Sequence, residues 1–260
     1  CGTVVLSPFA RGQHKLVHAD NGTFGYRDTP KQPWSGYRVH DPDRPLPKKI
    51  DPGGFSTDGR PGRPPSDAIV LFDGKDLSRW KPNPWKVENG YLEATTGTFE
   101  TVDEFGSIQV HLEWRAPDPP EGGLMDRGNN GVLLMGLCEL QIFDATTKIY
   151  PDGQAAAVYG QTPPLVTASR KPGQWEVYDI IFIAPEFDGD KLTKPARVTV
   201  LHNGVLVHHN QEIYGTTPHA ALAGPYPAGK VRGPLALLAH KNPVRFRNIW
   251  VRPLSLPARD

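Results

Sequence analysis

The sequence predicts an all-β sandwich of two antiparallel sheets preceded by an extended arm, and three observations carry that expectation. Proline and glycine are both abundant, at 28 and 27 of 260 residues, where average usage is about 5% and 7%. Interior prolines remove an N–H donor and clash with the preceding turn, which excludes long helices. Short segments with an apolar period of two recur along the chain, and no window carries a sustained helical stripe with caps. Asp-Gly and Asn-Gly turns punctuate these segments, as they do in a sandwich.

Residues 1–66 hold ten of the prolines and no clear apolar periodicity. Stretches 40–47 and 61–65 read as extended, polyproline-like chain. Phe24, Tyr26, Trp34, Tyr37 and Phe55 are aromatics of the kind a solvated linker lacks. The stretch is therefore expected to wrap residues 67–260, the main domain, as an arm held by those rings. Such an arm also offers a surface for a protein partner or for self-association.

In the main domain, the apolar run 68–72 ends at Asp73-Gly74. Segment 105–115 alternates, with Ile108, Val110, Leu112 and Trp114 on one face and Gln109, His111, Glu113 and Arg115 on the other. Segments 175–183 and 197–201 are rich in β-branched and aromatic residues. His202-Asn203-Gly204-Val205 sets Asn-Gly between two apolar strands, a hairpin signal. Segment 244–251 alternates again. There, Arg245 and Arg247 share a face, where arginines commonly pair with carboxylates to hold a sheet together. His208 and His209 point to opposite faces, so they make a poor shared metal site. Trp80, Trp85 and Trp175 read as core.

The balance of 29 Lys+Arg against 28 Asp+Glu gives a formal charge of +1, which argues against nucleic-acid binding through a global positive field. No stretch approaches 18 consecutive apolar residues, so no membrane span is expected. Two cysteines, Cys1 and Cys138, are too few for a disulfide framework. Cys1-Gly2 fits either the processed terminus of a bacterial lipoprotein or a truncated sequence. Asn21-Gly22-Thr23 fits the glycosylation triplet, a pattern that is common by chance.

The most informative segment is 138–144. In a strand, Cys138, Leu140 and Ile142 point to the core while Glu139 and Gln141 point outward. Asp144 has the wrong parity for that outer face, and one bulge between Gln141 and Asp144 would restore it. An ordinary half-buried strand with solvated polar residues accounts for the same pattern. Cys138 is then a small buried hydrophobe.

Several motifs occur in a recognisable order. They are Asn129-Asn130-Gly131-Val132, Glu139-Leu140-Gln141-Ile142-Phe143-Asp144, Ala157-Val158-Tyr159-Gly160 and Gly173-Gln174-Trp175. The 201–205 hairpin and Val244-Arg245-Phe246-Arg247-Asn248-Ile249 follow, with Phe72-Asp73-Gly74-Lys75-Asp76-Leu77 and Trp80 as the opening strand and turn. Together they resemble the 3-keto-disaccharide hydrolase domain family over about residues 67 to 254. The arm, through Tyr26-Arg27-Asp28-Thr29-Pro30 and Val39-His40-Asp41, is similar to the leader of planctomycete-type members.

This resemblance implies a concanavalin A-like jelly-roll with a carbohydrate cleft on a concave face. It also implies an exported bacterial protein, secreted, periplasmic or envelope-associated, whose partner is an oligosaccharide or glycoside. The Glu139/Gln141/Asp144 spacing is similar to the acidic strand motif of laminarinase-like glycosidases. After one bulge, Glu139 and Asp144 would have Cα atoms roughly 13 Å apart, whereas glycosidase carboxyls stand about 5 to 9 Å apart.

A 3-keto sugar changes the requirement. Its carbonyl acidifies the C2 hydrogen, so a base can remove it and the C1 substituent leaves, after which water adds to the enone. The site needs a base, an enolate stabiliser and an acid for the leaving group. Among the catalytic candidates Glu139, Gln141, Asp144, Tyr159, His240 and Arg247, the base is Glu139 or His240 and the acid is Tyr159. Arg247 or a divalent cation would hold the enolate. Glu139, Asp144 and His240 would supply oxygen-rich ligation to such a cation. No other cofactor is implied.

One departure points to an alternative. Members carry Leu-Gln-Asp-His-Gly where this chain has Leu237-Leu238-Ala239-His240-Lys241, and often Ser in place of Asn130. Loss of the amide and carboxylate keeps open a non-catalytic glycan-binding or structural envelope subunit on the same fold.

Overall fold

The computed structural model describes residues 14–20, 22–123, 126–144, 146 and 149–255; Cys1 and Asn21 lie outside the described residues. The chain divides into two compact units, 1–49 and 50–260. In the first, β1 (Leu16–His18) pairs antiparallel with β2 (Phe24–Tyr26). Local polar contacts hold it. The Tyr26 N–H donates to the His40 carbonyl, Thr29 Oγ1 donates to the Val39 carbonyl at 2.6 Å, and Arg27 forks onto Asp43 at 2.7 Å. The rings of Phe24 and Trp34 are exposed.

The second unit opens with β3 (Ile69–Phe72), β4 (Lys86–Glu88), β5 (Tyr91–Glu93) and β6 (Thr96–Phe105). Next come β7 (Ile108–Arg115), β8 (Asn130–Leu134) and β9 (Cys138–Ile142), then one turn of 3-10 helix at Pro151–Gly153. The remaining strands are β10 (Glu176–Ile183), β11 (Glu186–Asp188), β12 (Lys191–Lys194), β13 (Arg197–His202), β14 (Val205–Glu212), β15 (Gly233–His240) and β16 (Arg245–Pro253). No α-helix occurs among the described residues, and no helix there is long and apolar enough to cross a membrane.

The larger sheet runs β14-β13-β10-β7-β16-β5-β4, with β3 also paired to β16. The smaller runs β6-β15-β8-β9, and β11 and β12 form a separate ribbon. All these pairings are antiparallel, which lets each sheet bury one face and leave the other polar. Val110, Leu112, Trp114, Ile180, Phe182 and Phe246 of the larger sheet belong to one core with Phe99, Val132, Leu140, Ile142 and Leu237 of the smaller. Each such side chain contributes about 1.5–3 kcal/mol by leaving water. The expected sandwich, a jelly-roll of two sheets, is therefore the observed architecture.

One element differs. The alternating run 105–115 is not one strand, because Phe105 ends β6 in the smaller sheet and β7 resumes at Ile108 in the larger. Gly106 and Ser107 carry the chain between the sheets, and the buried parity switches there from odd positions (Phe99, Thr101, Phe105) to even ones (Ile108, Val110, Leu112, Trp114). The Asn203-Gly204 hairpin joins β13 to β14 as expected.

Candidate functional site

Strand β9 is buried along its whole length, yet its two faces do different things. Cys138, Leu140 and Ile142 enter the core, and burial pushes the Cys138 thiol up to about 12. Glu139 and Gln141 face the other way, over the smaller sheet. β8 covers one edge of β9. The other edge is taken by 156–159, where Ala156 N–H donates to Gln141, Gln141 N–H to Ala157, and Tyr159 N–H to Glu139, at 2.8, 2.9 and 3.0 Å. Thr217 Oγ1 accepts the Glu139 N–H at 3.1 Å. These contacts bring two remote loops, 150–160 and 215–222, up to the same strand.

Ordinary ligand sites measure about 300–1,000 Å³, and a cleft of about 520 Å³ here is lined by Glu139, Gln141, Tyr150, Tyr159, Thr217, His219, Leu238 and His240 among others. Glu139 is only 7% exposed. Burial pushes its carboxyl up to about 7, because a charge leaving water without compensation favours the neutral form. Among the described residues its carboxyl has no hydrogen-bond partner. Gly131, on β8, makes the room: a Cβ there would stand 2.2 Å from Glu139 Oε1. Gln141 spends its oxygen on the Ile142 N–H at 3.1 Å, leaving its amide nitrogen as a donor on the cleft wall.

Opposite the strand, three side chains form a hydrogen-bonded line. Tyr150 Oη and Tyr159 Oη are 2.8 Å apart, and Tyr159 Oη is 2.9 Å from His219 Nδ1. The Tyr159 and His219 rings stack at 6.4 Å. Burial first, then the Tyr150 hydrogen bond and nearby negative charge, push the Tyr159 phenol well above its ordinary value. Gly153 seats Tyr150, since a Cβ there would collide with the Tyr150 ring at 2.0 Å. The arrangement sets a proton acceptor, a free amide donor and a protonated phenol around one cleft.

Residues 67–252 match the 3-keto-alpha-glucoside-1,2-lyase-like domain. The chain belongs to that family. It is also similar to a candidate glycosyl hydrolase from Parabacteroides distasonis ATCC 8503, at 36% identity over 87% of this chain and 100% of that one, with a TM-score of 0.77. A second such protein from the same organism shares the fold at 22% identity and a TM-score of 0.56, over 72% of this chain and 99% of that one. No curated protein matches the chain. Family and fold make it a carbohydrate-active protein of the glycosyl hydrolase and lyase-like kind.

In this member of the 3-keto-alpha-glucoside-1,2-lyase-like family, four of the six catalytic candidates, Glu139, Gln141, Tyr159 and His240, line one cleft. His240 is exposed at the end of β15. Arg247 is a correction. It lies on β16 in the larger sheet, where its Nε donates to Glu113 at 2.7 Å and its other nitrogens donate to the Thr57 and Asp58 carbonyls. Those bonds and its stacking on Trp175 at 4.1 Å use the guanidinium as a sheet tie.

Asp144 is a second correction. β9 ends at Ile142, and the Asp144 N–H turns away to the Arg127 carbonyl. Its Oδ1 accepts from the Thr146 N–H and hydroxyl at 2.6 Å each. The expected bulge onto the Glu139 face does not form. Consequently Glu139, Asp144 and His240 are not assembled as ligands, and no group of three His, Cys, Asp or Glu among the described residues could hold a metal.

His219, Tyr150, Thr217 and the clearance at Gly131 escaped the sequence reading. Only Gly131 carried a signal, as a glycine inside a strand, which marks a close approach. The others sit on loops without periodicity.

Proposed function

We propose that the protein cleaves the glycosidic bond of 3-keto-glycosides by elimination, with hydration of the enone completing a net hydrolysis. Glu139 is the base. Its carboxylate takes the proton from C2 of the keto sugar, and the electron pair passes into the C3 carbonyl as an enolate. The Gln141 amide nitrogen donates to that enolate oxygen. Collapse of the enolate forms the C1–C2 double bond and expels the C1 oxygen, which takes a proton from Tyr159. His219 and Tyr150, hydrogen-bonded to the same phenol, hold it in place. Water then adds across the double bond: its hydroxyl goes to C1, its other proton restores the Tyr159 phenol, and C2 takes the proton held on Glu139.

The observation that carries this reading is the buried, unpartnered Glu139 carboxyl, pushed up to about 7 on the wall of the cleft. A base with that value is half ionised at neutral pH and strong enough to move a carbon-bound proton. A phenol kept protonated suits a leaving alkoxide. The test is turnover of a 3-keto-α-glucoside by the Glu139→Gln variant. General-base loss costs about 10²- to 10⁴-fold in kcat with KM little changed, and unchanged turnover would overturn the assignment.

Leu238 favours a second reading, glycan binding without cleavage. It puts an apolar side chain on the cleft wall where the family pattern carries an amide. Retained binding of a glucoside with cleavage of neither the glucoside nor its 3-keto derivative would decide for that reading.

A further inference from the structure

The Glu139 cleft has a neighbour. A second compartment of about 580 Å³ shares Tyr150, Tyr159 and His219 with it, so the hydrogen-bonded line of these three residues is a common wall. The two linings differ in their polar groups. On the Glu139 side the remaining residues bring two carboxyls (Asp126 and Glu139), two amides, the Thr217 hydroxyl and the His240 imidazole, beside Pro218 and Leu238. Beyond the wall they are Ala220, Ala221 and Leu222, with Gly160 and the single carboxyl of Asp152. Leu222 is 93% exposed, a large apolar side chain held out in solvent at a cavity. Ala220, two residues earlier, adopts a left-handed φ of 51°, which shapes the loop that presents Leu222. A ligand filling both compartments would have a polar half and an apolar half, joined at the proton donor.

We propose that the compartment bounded by Ala220, Ala221 and Leu222 is the leaving-group subsite and takes a neutral aryl aglycone. This rests on the cleft being a glycoside site, as argued above. The chemistry of the walls selects the class. An aromatic ring gains from the Tyr150 and Tyr159 rings and from covering Leu222, whereas a second sugar would leave its hydroxyls facing alanine and leucine. Asp152 selects against an anionic aglycone. The bond to be broken then lies at Tyr159, the group assigned to protonate its oxygen.

Binding tests the subsite apart from turnover. Calorimetry with the full chain compares phenyl α-glucoside and methyl α-glucoside, which lack the keto group. The phenyl compound is expected to bind about ten-fold more tightly. Leu222→Asp, at an exposed position, should narrow that preference to about two-fold or less. Equal binding of the two glucosides, or a preference that survives Leu222→Asp, would overturn the subsite while leaving the cleft a glycoside site. Binding of neither, with a 3-keto-α-glucoside still turned over, would overturn the subsite alone; binding of neither with no such turnover would overturn both. Turnover of a 3-keto-α-glucoside by the wild-type chain reads the catalytic proposal separately.

Discussion

Two carboxylates are buried on the sheet faces that point away from the core, and they have opposite fates. Glu113, on β7 of the larger sheet, accepts from Arg247 at 2.7 Å and from Asn248 at 2.8 Å, and also from Ser56. His111 stands 3.5 Å away, itself 2.6 Å from Asp179 and stacked on Trp250. Glu139, on β9 of the smaller sheet, has no such partner among the described residues. Burial works against the charge of both. For Glu113 it is outweighed by hydrogen bonds from His111, Ser56, Asn248 and Arg247, which hold the carboxyl down at about 2. For Glu139 burial acts alone and lifts it to about 7. Burial is thus shared by the two, and the supply of donors decides the sign. One site is a filled ionic lock that fastens residues 56–58 to the sheet; the other is left unfilled where a cleft reaches it.

Replacing each carboxylate by its amide should separate the two roles. Glu139→Gln removes about 10²- to 10⁴-fold of turnover, about 3–5 kcal/mol of barrier, without loosening the fold. Glu113→Gln does the reverse. It leaves Arg247 buried without its counter-charge, at a cost of about 3–5 kcal/mol of stability and a melting temperature lower by about 10 °C. Thermal unfolding and turnover of both variants form the check. Loss of turnover in Glu113→Gln with an unchanged melting temperature would erase the distinction.

Stability against pH sharpens the same contrast with a signed slope. The folded value of Glu139 exceeds its ordinary 4.5, so the folded state holds the proton more tightly. That contribution is full below pH 4.5 and is lost as pH rises through 7, a loss of about 3 kcal/mol. Glu113 is depressed below the same reference. Its contribution is full above pH 4.5 and is lost as pH falls through 2. Burial opposes protonation of His111, but the hydrogen bonds to Asp179 and Glu113 prevail and raise it to about 9. Its contribution is full below pH 6.5 and is lost as pH rises through 9. Denaturant midpoints from pH 4.5 to 7.5 should therefore fall less in Glu139→Gln than in the wild type. Equal slopes in the two would remove the unpaired-carboxyl picture.

Much of this was legible in the sequence, because periodicity reports which face a strand buries. The parity of β9 put Glu139 and Gln141 together, and that of β7 put Trp114 in the core and Glu113 outside. Periodicity does not report what later covers a face. Glu113 reads as a solvated residue until Ser56, 57 positions earlier, is laid over it. Arg247 was open to two readings, enolate ligand or sheet tie, and only the register with Glu113 on β7 decides for the tie. Spacing alone suggests a bulge before Asp144, whereas the strand simply ends at Ile142. His219 reaches Tyr159 across 60 residues from a loop, and no local pattern marks such a contact.

Gly131→Ala probes the unfilled site with the smallest perturbation. The added Cβ would stand 2.2 Å from Glu139 Oε1 and 2.7 Å from its Cδ. Both are far inside van der Waals contact, so the carboxyl must swing away from β8. The backbone of β8 can keep its ladder, since β-strand φ and ψ suit alanine as well as glycine. The carboxyl can therefore move without the sheet opening, and stability should change by about 1 kcal/mol or less, with either sign. Turnover should fall about ten-fold through kcat, because a base displaced by about 1 Å no longer faces the C2 proton. Glu113, by contrast, is held in place by Arg247, Asn248 and Ser56. A Gly131→Ala variant with wild-type kcat would mean that Glu139 does not act from its observed position, and the proton acceptor would then have to be sought at His240, on the same cleft.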